Sequence, residues 1–452
     1  MAGVVKQSWA FRRRRGQNWM LLGFLYALFY MSRYNFSATH TALEKMFGWG
    51  SSQMGVFETV MPLVYGLSVF LNGPVADRVG GKRAFLFGTV GAALMNFAFG
   101  WVLSSAHADD PHLLTVLVTV WAINGFFQSF GALSIVKVNA QWFHLTERGT
   151  FAGVFGVLIR FGLILAFSGS PLVLRWLSLP WVFWVPAIAL SLFFVLNFFF
   201  MEDTPADAGL PALDTGDGGA ADDDTPARLS EVLRKVFLSR AALTVALASM
   251  MIGCVRRSVI DAWYPDYFHT VFGVHDLSSY GPYQLAVWGI AIAGIFGGFA
   301  FGITSDHTFG GRRGPVITIG FAGMSVLLVL FALAERMQLG AYASAVLLLS
   351  LSFFINGAHG MIGGAASMDF GGRKAAATAA GLFDGMQYIA ASPMGYGMGR
   401  LLHEKAGWNM WTLAVLPFAL VGAALAASLW NELPRSKAPP VEPAAAQPGA
   451  VA

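Results

Sequence analysis

Five basic side chains stand inside long apolar runs of this sequence: Arg33, Lys137, Arg160, Arg256 and Arg257. An arginine at the centre of a membrane-spanning helix costs about 2.5–3.5 kcal/mol on insertion scales, so a charge kept there needs a partner or a task. The acids in comparable positions are fewer: Glu58, Asp261 and Asp384, with Asp266 near the end of a run. A guanidinium presents a planar fork that grips phosphate with two parallel hydrogen bonds. Two facing arginines in a water-accessible cavity therefore suit a doubly charged oxyanion. The alternative is burial as ion pairs, with Asp261 four residues after Arg257 and Asp384 as a further acid. No two-histidine metal motif, nucleophile elbow or P-loop occurs, so neither an enzyme nor a cofactor is expected.

The elements that carry these charges follow from composition. Of 452 residues, 56% are apolar and only 12% are charged, against about 25% charged in soluble proteins. A single cysteine, Cys254, excludes a disulfide scaffold. The apolar residues run in blocks rather than alternating, which argues against a transmembrane β-barrel. About 20 apolar residues cross a bilayer as a helix, the form that satisfies its own backbone. Twelve such blocks fall near 19–41, 53–75, 84–105, 112–142, 150–173, 179–201, 239–268, 281–304, 315–334, 341–367, 375–399 and 409–431. The expected fold is all-α and integral to the membrane.

Lysine and arginine set the orientation. With both ends cytoplasmic, 19 of the 29 basic residues fall on the cytoplasmic side, 5 on the outer side and 5 within spans. The net charge of +4 thus reports topology in a lipid bilayer, and no basic patch is left for nucleic acid. The chain divides into a basic N-terminal arm (1–18), six spans (19–201), a linker rich in Asp, Gly, Ala and Pro in its first part (202–238), six more spans (239–431) and a Pro/Ala-rich tail (432–452) expected to be disordered.

The two sets of six repeat each other. Gly73-Pro74-Val75-Ala76-Asp77-Arg78 closes span two, before Gly81-Lys82-Arg83; Gly302-Ile303-Thr304-Ser305-Asp306 closes span eight, before Gly310-Gly311-Arg312-Arg313, at an offset of 229 residues. Asn124-Gly125 recurs as Asn356-Gly357, at 232. Arg33 in span one and Arg256 in span seven stand 223 apart, so each half presents an arginine at a similar depth. A glycine in these loops lets helices approach, and the Asp can cap a helix or pair with a basic residue as the halves rock. A gating role is thus expected for Gly73, Asp77, Arg78, Lys82, Arg83, Asp306 and Arg312.

This loop pair resembles the signature of the major facilitator superfamily. The resemblance implies two pseudo-symmetric six-helix bundles, twelve transmembrane helices in all, with a substrate site between them near mid-membrane. Span one, with Tyr26, Tyr30 and Arg33-x-Asn35-Phe36, further resembles the organophosphate:phosphate antiporters. So do Arg256-x-x-Val259-Ile260-Asp261-x-Trp263, Asn124-Gly125-Phe126-Phe127-Gln128, and Ala379-Ala380-Gly381-x-x-Asp384-Gly385. By that resemblance Arg33 and Arg256 are the phosphate-binding pair, with Tyr26, Tyr30 and Tyr65 lining one half of the cavity and Tyr388 and Asp384 the other. Lys137 matches a basic position of span four, where it serves the site or snorkels to the cytoplasmic edge.

The pattern departs at Val69, where some members carry lysine, and at Ile159, where glycerol-3-phosphate transporters carry histidine; Arg160 is its neighbour. Tyr34 also replaces a lysine of those transporters. Arg160 and His359 are further candidates for substrate contact, with packed or paired roles as the alternative. His40, His144, His269 and His275 lie at span ends and weigh little. Arg257 and Asp261 are expected to pair. The expectation is exchange of a phosphorylated sugar or other organophosphate for inorganic phosphate by a functional monomer in the cell (inner) membrane. The rivals are a sensor of the same fold and a proton-coupled facilitator of another anion.

Overall fold

A computed structural model describes residues 7–107, 110–143, 145–213, 230, 234, 239–403 and 405–432; within these, the side chains of 74, 77, 140, 145–155, 306, 364–380, 405 and 406 lie outside the description. The N-terminal half comprises α1 (Trp9–Tyr34), α2 (Ser51–Val79), α3 (Gly81–Ser105), α4 (Leu113–Gln128, resumed over Phe130–Trp142), α5 (Leu145–Phe167) and α6 (Trp181–Phe200). The C-terminal half comprises α7 (Arg240–Arg256), α8 (Gly281–Ile303), α9 (Arg313–Arg336), α10 (Ala341–Gly360), α11 (Ser367–Leu401) and α12 (Trp411–Ala427). Among the described residues, ten helical stretches are long and apolar enough to cross a membrane. The other two expected spans are carried by α1 and α11.

The basic arm is not separate from the first span. Ser8 accepts a hydrogen bond from the Phe11 N–H at 3.2 Å, which caps α1 and starts it at Trp9. Arginine is a good helix former, so the helix runs unbroken through Arg12–Arg15.

The start of α1 and the end of α6 lie together on what we term the linker side, where α6 leads into residues 201–213. There Asn18 exchanges hydrogen bonds with the Glu202 backbone at 2.7 and 3.1 Å, and the Trp142 indole donates to the Glu202 carbonyl at 3.0 Å. Asp203 accepts from the Lys82 N–H at 2.6 Å, an acid at the open N-terminus of α3. Burial pushes the Asp203 carboxyl up, against the pull of that N–H and of Lys137 and Lys82.

The halves meet along two seams that the repeat relates to each other. Helix α2 packs on α11, and its counterpart α8 packs on α5. Along the first seam Gly55 faces the Gly395 carbonyl, where an added Cβ would stand 2.7 Å away, and Gly66 faces the Gly385 carbonyl at 2.9 Å. At Gly55 the nearest atoms across the seam are all backbone, while at Gly66 and Gly385 the Ile389 and Phe70 side chains flank the contact. Along the second, Tyr283 donates to the Phe167 carbonyl at 2.7 Å and Ser168 to Gln284 Oε1 at 2.9 Å.

Inside the N-terminal bundle a fully buried amide cluster ties α1 to its neighbours. Asn96 Nδ2 donates to the Ser32 carbonyl at 3.1 Å, and Asn35 Nδ2 donates to Asn96 Oδ1 at 3.0 Å and to the Val182 carbonyl at 3.1 Å. Asn96→Leu leaves Asn35 and the Ser32 carbonyl short of partners, and stranded polar groups cost about 1–3 kcal/mol each. The expected result is a clearly lower midpoint of heat-induced unfolding in detergent; an unchanged midpoint would show that the cluster does not support the fold.

Candidate functional site

Arg33 stands in the last turn of α1 and is 4% exposed. Its guanidinium lies 4.4 Å from the Tyr65 ring centre and 5.0 Å from that of Tyr30. Such cation–π contacts are worth about 0.5–2 kcal/mol, more where water is excluded. Nε and Nη2 donate to Gln128 Oε1 at 3.3 and 3.2 Å, and Nη1 donates to the Tyr388 hydroxyl at 3.3 Å. All these partners are neutral, and among the described residues no carboxylate pairs with Arg33.

Gln128 is aimed by a break in α4. The Ser129 hydroxyl donates to the Phe126 carbonyl and accepts from Asn72 Nδ2, each at 2.7 Å. A hydroxyl turned onto its own backbone competes with the helix ladder, and the helix resumes only at Phe130. Gln128 Nε2 then donates to Ser32 Oγ at 2.9 Å, which fixes the amide under Arg33.

Arg256 ends α7 and faces the same tyrosine from the other half. Its guanidinium lies 5.5 Å from the Tyr388 ring centre. Tyr388 thus joins the two arginines, accepting from one and offering its ring to the other. Arg256 Nη1 also lies 3.4 Å from His359 Nε2, and the Gln387 carboxamide lies 2.9 Å from His359 Nδ1. An arginine can only donate, so His359 accepts at Nε2 and carries its proton on Nδ1, which requires the Gln387 amide to turn its oxygen, otherwise buried without a partner, toward Nδ1.

The acid partner of the arginine pair differs from the sequence expectation. Asp261 does not pair with Arg257; its Oδ2 meets Arg256 Nε at 2.9 Å. The reason is local: residues Arg257–Asp261 form a π-helical turn, whose i→i+5 spacing brings Asp261 back to Arg256. The Tyr34 hydroxyl donates to the same oxygen at 3.3 Å, linking α1 to α7. Arg257 instead points into the other half and pairs with Glu58 Oε2 on α2.

Tyr26, Tyr30 and Tyr34 follow one another along one face of α1, Tyr26 edge-on to Tyr30 at 5.2 Å and Tyr30 stacked on Tyr34 at 5.7 Å, and Tyr65 packs on Tyr388 at 4.4 Å. Arg160 on α5 bonds Asn356 Oδ1 on α10 and lies within electrostatic reach of Arg256 and His359. Asp384, half-buried on α11, has Arg256, Arg33 and the Tyr65 hydroxyl as neighbours. Arg33, Arg256, Tyr26, Tyr30, Tyr65, Arg160, His359, Asp384 and Tyr388 therefore fall in one region between the halves.

Lys137 does not join them. It lies nine residues beyond Gln128, about 13 Å further along α4 by helical rise, and its charge acts on Asp203 at the linker side. Lys82 pairs with Glu202 at 3.0 Å, Arg312 Nε donates to the Phe309 carbonyl at 3.2 Å, and Arg78 and Arg83 are exposed. Gly73 is buried, and the side chains of Asp77 and Asp306 lie outside the described residues. His144 also lies outside them.

Sequence reasoning passed over Gln128 and Tyr34 as site residues, although both stood in motifs it quoted. It also dismissed His40, which is buried between Glu58 and Asp266. A polar residue within an apolar run was the available signal for Gln128. Nothing local marks His40, because its partners come from α2 and from the helix after α7.

The profile of the Major Facilitator Superfamily matches residues 22–394. The chain is 27% identical over 439 residues to the glycerol-3-phosphate transporter of Bacillus subtilis (strain 168), covering 94% of each chain. It is 27% identical over 443 residues to a probable hexose phosphate transport protein of Chlamydia trachomatis, covering 95% of this chain and 93% of that one. Its fold superposes on the xylose transporter XylE from E. coli with a TM-score of 0.69 at 14% identity, over 94% of this chain and 99% of that one. With these matches and its array of apolar helices, the chain is a multi-pass membrane protein and belongs to the major facilitator superfamily.

Proposed function

We propose that this protein exchanges a phosphorylated sugar or other organophosphate for inorganic phosphate by alternating access, with the phosphate held between Arg33 and Arg256. The observation that carries the reading is Arg33 itself: a buried guanidinium held by neutral groups only, with a second arginine from the other half across Tyr388. Relatives named as glycerol-3-phosphate and hexose phosphate transporters support the substrate class. A phosphate dianion replaces the Gln128 and Tyr388 contacts of Arg33 with charge-assisted ones, which are roughly twice as strong.

Exchange follows from the same charges. Closing both halves over an empty site leaves Arg33 without water or a counter-charge, which is costly. Closing over phosphate does not, so the loaded carrier reorients and the empty one lags. The ester's remaining hydroxyls then meet Arg160, His359 and Asp384.

The test is counterflow of labelled phosphate into proteoliposomes holding the purified chain and unlabelled phosphate, challenged with glycerol-3-phosphate, hexose-6-phosphates and the free sugars. Uptake should require internal phosphate and be inhibited by one or more esters but by no free sugar. Binding without turnover would instead point to a sensor, and indifference to phosphate to a carrier of another anion; either result ends this reading.

A further inference from the structure

On the side away from the linker, a second charged cluster crosses from one half to the other. His40, just beyond α1, has Nε2 3.0 Å from Glu58 Oε1 on α2 and Nδ1 2.6 Å from Asp266 Oδ2 in the helix Tyr264–Phe272. Glu58 Oε1 also accepts from Ser37 Oγ at 2.5 Å, and Glu58 Oε2 pairs with Arg257. Thus His40, Ser37 and Glu58 belong to one half, and Asp266 and Arg257 to the other. His40 and Glu58 are each 1% exposed, Arg257 5% and Asp266 8%. The Phe36 and Trp263 rings pack on the imidazole at 5.1 and 5.3 Å.

A carboxylate can only accept, so an imidazole with a carboxylate at each nitrogen donates from both and is a cation. The four groups then balance: Arg257 and His40 against Glu58 and Asp266. Loss of the His40 proton turns one nitrogen's lone pair toward a carboxylate oxygen and leaves the buried set with an unbalanced negative charge.

We propose that His40, with Glu58 and Asp266, is a proton-binding site separate from the arginine pair, and that its proton holds the two halves together on this side. The proton exchanges with bulk water when the halves part, so opening of this side is coupled to its release. Other ionisable groups face the cluster. Glu44, one turn after His40 and beyond the span, is pushed up to about 7 by burial and by Asp266, with His40 and Ser51 pulling the other way. His269 faces Asp266, and Arg257 is within reach of Tyr34 and Asp261. Glu44 acts in the same sense as His40. Its carboxyl is raised in the closed state, so closure gains while Glu44 keeps its proton and loses that gain as the pH rises from the ordinary carboxylate range through about 7. Alkaline pH therefore loosens the contact on both counts.

The test needs no substrate, so it stands whether or not phosphate is the cargo. Spin labels at Lys45→Cys and Arg400→Cys, exposed positions of the two halves on this side, are placed in a Cys254→Ala background. Their separation is then read by double electron–electron resonance in lipid nanodiscs. Between pH 6 and pH 8.5 the longer-distance population should rise at least threefold in the parent. His40→Gln should cut the pH response to the part that Glu44 carries, His40→Gln combined with Glu44→Gln should hold one distribution at both pH values, and Asp266→Asn should show the longer distance already at pH 6. A parent distribution that ignores pH overturns the proposal, whatever becomes of the variants. So does a pH response that persists unchanged in His40→Gln.

Discussion

Arg33→Lys should lower the kcat/KM of phosphate counterflow by about two orders of magnitude while the protein remains folded. The charge survives this change, so the loss measures geometry alone. Lysine offers a compact ammonium where Arg33 offers a planar fork, and it cannot bond two phosphate oxygens in parallel. It also gives up the planar guanidinium's contacts with the rings of Tyr30 and Tyr65. A charged hydrogen bond is worth about 1.5–3 kcal/mol, and 1.4 kcal/mol is tenfold. Arg256→Lys should fall less, because Arg256 is already charge-paired with Asp261 and gains less from the phosphate. Lysine variants at both positions that exchange phosphate at the parent's rate would rule out the arginine clamp.

Gly395→Val should abolish exchange yet leave phosphate binding within a few-fold of the parent. A Cβ at Gly395 would stand 2.6 Å from both the Glu58 carbonyl oxygen and the Thr59 nitrogen, which are backbone atoms of the facing helix α2. Backbone cannot swing aside as a side chain tip can, so α2 and α11 must separate. The seam then cannot close on the side away from the linker, and half of the transport cycle is lost. The site itself lies deeper, around Tyr388, two turns of α11 away. Counterflow and equilibrium binding of labelled phosphate in the same preparation separate the two effects. Normal exchange by this variant would mean that the seam does not have to close.

How much of this was legible beforehand depended on whether the signal was local. The twelve apolar runs, the matched loops at Gly73 and Gly302, and the arginines at 33 and 256 could all be read from spacing, because each is fixed by the bilayer or by the repeat. The partners of those arginines could not. Asp261 sits four residues from Arg257 and five from Arg256, and only a π-helical turn decides between them. Lys137 looked like a site residue by type, but the length of α4 carries it to the linker side. His40 seemed uninformative at the end of a span, because Glu58 and Asp266 reach it from elements distant in sequence. Periodicity predicts which face a residue occupies, not which helix that face will meet.

The glycine seam also bears on how fast the halves can move. When side chains lock two helices together, each contact freezes rotamers, and long polar chains lose up to about 1.5–2 kcal/mol of rotational freedom apiece. Glycine has no rotamers to freeze. Where Gly55 meets Gly395, closure orders almost nothing that was free when open. Making and breaking this contact therefore carries little entropic penalty in either direction. That leaves the charged groups, rather than the packing between the helices, to decide when the carrier turns over.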